Sequence, residues 1–185
     1  MSAAAQSVTI LLTAEEMLDR MGQGRWELVR GQVKEMPPAG GEHGYRVMRL
    51  GARLLVHVEA QDLGAVLAAE TGFLIARDPD TIRAPDAAFI VKEKLPERWP
   101  EGWVTIIPDL VIEVVSPSDR VGEVEDKIQD WLDAGVRLVW AVYPRTRTVQ
   151  VYRLGQSPRM LIEADTLDGE DIVPGFSIAV REIFA

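Results

Sequence analysis

The sequence predicts a single α/β domain spanning residues 1–185, and three stretches carry that reading. From Glu42 to Gln61 the apolar residues Val47, Leu50, Leu54, Leu55 and Val58 recur at helical spacing, which marks the longest helix. Asp109 to Ser116 is apolar on both alternating faces, the pattern of a strand in the middle of a covered sheet. Val136 to Tyr143 and Thr148 to Leu154 read as two strands of a hairpin. A chain of 185 residues buries roughly 70% of its unfolded surface, so it needs no disulfide to hold a core, and it has no Cys.

Residues 1–12 are expected to form a loosely ordered N-terminal segment. Thr13 followed by Glu16 is a capping box, so a short helix should run to about Met21 and stop before Gly22 and Gly24. Trp26 to Val29 and Gln32 to Met36 flank Arg30-Gly31, whose glycine suits a tight hairpin turn. After the long helix come Ala65 to Ala69, Gly72 to Ala76, a turn at Asp78-Pro79-Asp80, and the apolar run Ala87 to Val91, read as consecutive strands. Lys92 to Ile107 is an irregular connection lying near an opening, with Trp99 and Trp103 packing under the loop. Ser118 or Asp119 caps a helix that continues to Ala134 and ends at Gly135. Pro174-Gly175 precedes a short tail ending in Phe184.

The balance of 29 acidic against 20 basic residues gives a net charge of −9, which repels polyanions at long range and argues against non-specific nucleic-acid binding. A cysteine-free chain with no membrane-length apolar run and no leader-like start fits the cytoplasm.

Glu113 sits within the doubly apolar strand. An ionised carboxylate there needs a cation, a metal or several donors, because burying it unpaired costs several kcal/mol. An arginine from a neighbouring strand would satisfy it as a purely structural pair, and that alternative is equally open. Asp86 heads the strand Ala87 to Val91; it either caps the turn after Pro85 or converges with Glu113 on one hard cation such as Mg²⁺. Lys127 lies roughly 70° from the inward stripe of its helix, taking about 100° per residue. It can reach a cleft, but Glu123 four residues earlier makes a surface pair the simpler reading. Arg46, Arg49, Arg53 and His57 form a basic stripe on the long helix, either a phosphate-contacting face or a solvated one, and His43 stands near that helix's start.

Pro85-Asp86, then Glu113 inside Pro108 to Ser118, then Lys127 on the next helix, resembles the Uma2-like family, described as restriction endonucleases within the PD-(D/E)XK nuclease superfamily. The likeness extends from Trp26-Glu27-Leu28-Val29-Arg30-Gly31 to Ile183-Phe184, with Ile112-Glu113-Val114 and Ser116-Pro117-Ser118 its most specific piece. The resemblance implies a restriction-endonuclease-like mixed β-sheet flanked by helices, with additional N-terminal and C-terminal β-hairpins. It also implies Asp86 and Glu113 as ligands of Mg²⁺, with Mn²⁺ as a substitute, DNA as substrate, and a homodimer. The superfamily's usual lysine stands two residues after the glutamate, where this chain has Val115. Lys127 is therefore expected to supply the amine, giving a catalytic set of Asp86, Glu113 and Lys127, with His43, Arg46, Arg49 and Arg53 as nucleic-acid contacts. Asp109 is a reserve ligand. The alternative is a non-catalytic dimeric nucleic-acid-binding or regulatory domain that keeps the nuclease fold.

Overall fold

A computed structural model describes residues 11–20, 25–117 and 119–185. Residues 1–10 of the expected loose segment, the helix stop at Gly22 and Gly24, and the Ser118 cap lie outside the described residues.

The elements in chain order are α1 (Ala14–Arg20), β1 (Trp26–Val29), β2 (Gln32–Glu35), α2 (Gly41–Ala60), β3 (Gly64–Ala68), β4 (Phe73–Ala76), β5 (Thr81–Arg83) and β6 (Ala87–Val91). After a 3₁₀ turn at Lys92–Lys94 follow β7 (Leu110–Val114), α3 (Val121–Asp133), β8 (Leu138–Tyr143), β9 (Thr148–Arg153), β10 (Arg159–Leu161), β11 (Thr166–Asp168), β12 (Ser177–Ala179) and α4 (Val180–Ile183). The expected capping box forms: the Glu16 N–H donates to Thr13 Oγ1 at 3.1 Å and the Thr13 N–H to Glu16 Oε2 at 2.9 Å. The β1–β2 turn takes positive φ at both Arg30 (49°) and Gly31 (78°), as a two-residue hairpin requires.

A six-stranded mixed sheet runs β10-β9-β8-β7-β6-β3. β7 is central, parallel to β8 and antiparallel to β6, and all five of its residues are buried. Alternation sends Leu110, Ile112 and Val114 into a core with Leu50, Leu54 and Val58 of α2, and Val111 into a second core with Ile128 and Trp131 of α3. The two helices thus cover opposite faces of the sheet.

A four-stranded sheet, β2-β1-β5-β4, packs under α1 through Ala14, Met17, Leu28, Leu74 and Ile82. This corrects the expectation of consecutive strands. β3 and β6 pair in the large sheet, whereas β4, together with β5, a stretch given no assignment from the sequence, joins the N-terminal hairpin. Period-two alternation shows that a segment is extended but not which sheet receives it. β11 and β12 make the C-terminal antiparallel pair.

α3 begins at Val121 after Arg120, whose side chain makes no cap; Asp119 instead accepts the Ser116 N–H at 2.8 Å. Gly135 closes α3 with φ of 96°, donating to the Leu132 carbonyl at 3.0 Å. No helix among the described residues is long and apolar enough to cross a membrane.

Candidate active site

The strand register brings the two carboxylates together. β6 pairs with β7 so that Ala87 faces Ile112, which carries Asp86, one step earlier, to the level of Glu113. Ala88 and Ile90 share the α3-side core with Val111, so alternation places Asp86 and Glu113 on that same side. Asp86 is fixed there from both its backbone and its side chain: its N–H donates to the Ile112 carbonyl at 3.1 Å, and its Oδ2 accepts the Val114 N–H at 2.7 Å. His43, from the first turn of α2, brings Nε2 to 3.2 Å of the same oxygen. The Asp86 carboxylate raises the His43 pKa against the opposing effect of burial.

Glu113 receives one donor at each oxygen, and both donors come from α3. Lys127 Nζ lies 2.9 Å from Oε2, and the indole Nε1 of Trp131 donates to Oε1 at 2.8 Å. Lys127 and Trp131 are four residues apart, so one face of the helix presents both to a single carboxylate. The arginine alternative fails: Arg83, the buried guanidinium nearby, pairs with Glu27 at 2.7 Å and Asp130 at 2.5 Å. The surface-pair reading of Lys127 fails too, because Glu123 turns to Lys34 at 2.8 Å. Helical spacing made Glu123 and Lys127 neighbours, but a buried carboxylate attracts the ammonium more strongly than an exposed one.

The Lys127 ammonium also meets Glu27 Oε1 at 3.0 Å and donates to the Ala84 carbonyl at 2.9 Å. Burial pulls the lysine pKa down, and the carboxylates of Glu113, Glu27 and Asp86 more than offset it, so the amine holds its proton above the ordinary lysine range. Burial pushes Glu113 up to about 7; Lys127 opposes the shift, while Asp86 and Glu27 add to it. Glu113 and Glu27 contact one ammonium and Asp86 adds a third negative charge beside it; Glu27 has the Arg83 guanidinium as well, so the shortfall of positive charge falls on Glu113.

Glu27, Asp86, Glu113, His43 and Lys127 line one cleft of about 380 Å³, together with Trp103 from the irregular connection. Trp103 donates from Nε1 to the Ala14 carbonyl at 2.9 Å, fastening α1 at the rim, while Trp99 stays 41% exposed rather than packed under the loop.

The basic stripe of α2 goes elsewhere. Arg46 donates to the carbonyls of Ile183 and Ala185, Arg49 to that of Glu182, and Arg53 pairs with the Glu182 carboxylate at 2.6 Å. His57 lies 2.9 Å from the Pro174 carbonyl. This face is neither simply solvated nor turned to the cleft; it holds the C-terminal segment, and His43 alone of the expected nucleic-acid contacts reaches Asp86. Asp109 sits at the start of β7 with Lys94 and Arg137, apart from the cleft.

Sequence reasoning passed over Glu27, Arg83 and Asp130 as members of this cluster. Glu27 carries a faint signal, as an acid within a short strand whose neighbour Leu28 is core. Arg83 and Asp130 carry none, because only the packing of the small sheet against α3 joins them.

The donor set fits a hard divalent cation. No group of three or more His, Cys, Asp or Glu side chains arranged to hold a metal occurs among the described residues. Two adjoining carboxylates, Asp86 and Glu113, nonetheless match the one or two that Mg²⁺ commonly takes while keeping its waters.

The sequence profile of the Uma2 family, described as "Putative restriction endonuclease", matches residues 14–181. The fold matches the crystal structure of "a putative nuclease belonging to DUF820" from Anabaena variabilis ATCC 29413, with a TM-score of 0.81 and 20% sequence identity over 94% of this chain and 97% of that one. No curated protein matches the chain.

Proposed function

The chain belongs to the Uma2 family, and on that premise we propose that it is a metal-dependent endonuclease hydrolysing DNA phosphodiester bonds. Asp86 and Glu113 would hold Mg²⁺, with Mn²⁺ as a substitute, and Lys127 would assist the attacking water. One observation supports this above the others: Lys127, on a helix rather than on β7, sets its ammonium 2.9 Å from Glu113 in the cleft that Asp86 also lines.

A bound divalent cation supplies charge stabilisation and a water of lowered pKa. Everything else falls to the chain's own residues. Asp86 is pre-oriented by the Val114 N–H, and Glu113 by the Trp131 indole. Lys127, with its ammonium at Glu113 and Glu27, would orient the water or stabilise charge on the phosphate. His43 holds Asp86 from the first turn of α2. Cutting both strands of a duplex with one such site per chain calls for two copies, which is why the homodimer belongs to this reading.

The test is nicking of supercoiled plasmid by purified protein with Mg²⁺ or Mn²⁺. Glu113→Ala and Asp86→Ala should each abolish it. Cleavage that survives Glu113→Ala removes the proposal, and metal binding by calorimetry with no cleavage under any condition favours the non-catalytic reading.

A further inference from the structure

Lys127 is tied into a closed circuit of side chains. Its ammonium meets Glu27 at 3.0 Å; Glu27 is gripped by Arg83 at 2.7 Å and by the Ala84 N–H at 3.1 Å. Arg83 in turn binds Asp130, three residues past Lys127 on the same helix. Glu27 is 1% exposed and Arg83 4% exposed, so the centre of this circuit is buried at the floor of the cleft. The small sheet and α3 meet in it.

A lysine reaching in from a helix has a long flexible stem and must be held by something other than its own backbone. Glu113 cannot serve that purpose alone, since a carboxylate that ligates a metal cannot also remain the full counter-ion of an ammonium. Glu27 sets Oε1 on the ammonium and Oε2 on the Arg83 guanidinium. We infer that Glu27 is the positioning residue for Lys127: the carboxylate that keeps the ammonium in the cleft when Glu113 is engaged elsewhere. The inference rests on the nuclease reading for its catalytic consequence, but the placement of the ammonium can be read without any cleavage.

The experiment uses the full chain and two readouts. In the first, Glu27→Gln should lower kcat for plasmid nicking about 100-fold, the cost of roughly 1 Å of misplacement, with KM changed less than about threefold. In the second, proteins carrying Glu113→Gln, which withdraws the competing counter-ion, are treated without metal, with and without Glu27→Gln, with an amine-reactive acylating reagent and the modified lysines are mapped by mass spectrometry. Lys127 should label severalfold faster with Glu27→Gln than without it, while Lys92, on another part of the surface, labels at an unchanged rate. If the Gln variant does not fold, Glu27→Asp keeps the charge but draws it back by one C–C bond, about 1.5 Å, and the same criteria apply to it. Unchanged kcat, or unchanged labelling of Lys127 in the folded variant, overturns the inference. A parent protein that cuts nothing sinks the nuclease reading instead, and the labelling then decides the role of Glu27 by itself.

Discussion

The two ends of β7 each carry a buried carboxylate, and they are built on opposite plans. Asp109 at the start is 1% exposed and closed by two cations, Lys94 at 2.8 Å and Arg137 at 3.0 Å, with the Val91 N–H on its other oxygen. Glu113 at the far end is 7% exposed and shares a single ammonium with Glu27 while Asp86 adds a third negative charge. Asp109 has surplus positive charge and no cleft; Glu113 has surplus negative charge and faces one. A carboxylate fully compensated by its neighbours is a structural device, whereas one left short of positive charge beside an opening is prepared for a cation from outside.

Lys127→Met tests that contrast hardest. Removing the ammonium strands two buried carboxylates, so unfolding by urea should show a loss of about 3–5 kcal/mol as well as lost cleavage. Adding Glu113→Gln to it should restore part of that stability; a double-mutant cycle showing no coupling would mean that the pair is not the electrostatic unit described.

Glu113→Gln alone should cut nicking by at least about 10³-fold, roughly 4 kcal/mol in the barrier, while the unfolding free energy holds or rises because one surplus charge has gone. If it destabilises as Asp109 variants do, the two ends of the strand are not different in kind.

Asp109→Asn is the mirror experiment. It should lower stability by about 2 kcal/mol and leave nicking per folded molecule unchanged, since the side chains of Lys94 and Arg137 are 44% and 41% exposed and can rehydrate. Loss of nicking without loss of stability would restore Asp109 as a ligand.

The smallest effect is a pH dependence at Glu27. Burial alone would raise its pKa, but Lys127 and Arg83 outweigh that and hold it below the ordinary glutamate value of 4.5. A group depressed on folding stabilises above its unfolded pKa and loses that contribution as pH falls through the folded one. The Glu27 contribution to the stability gap between the parent and Glu27→Gln should therefore shrink as pH drops below about 4.5. A gap that widens with acid would reverse the sign of the assignment.

Much of the fold was legible because it is local. The capping box of α1, the Arg30-Gly31 turn, α2, the doubly apolar β7 and the Gly135 stop all follow from residues within one turn or one hairpin of each other. Short pieces were not legible: β5 and β10 to β12 are three residues each, too brief for alternation to register, and their pairing depends on distant partners. At the site, Asp86 and Glu113 stood out as acids in apolar strands. Lys127 did not, since local spacing pointed it to Glu123, and the arginines of α2 misled because a helix face shows its periodicity but not its neighbour.

By itself the sequence determined the elements and the improbable burial of Glu113, since periodicity, turn chemistry and the cost of a charge in an apolar strand are all properties of near neighbours. Only the tertiary structure decided which cation answers Glu113, why it must be shared with Glu27, and where the α2 arginines go. Those choices are made between groups far apart in the chain, such as Arg53 and Glu182 at 129 residues, where Coulomb attraction and desolvation act through space and leave no trace in spacing along the chain.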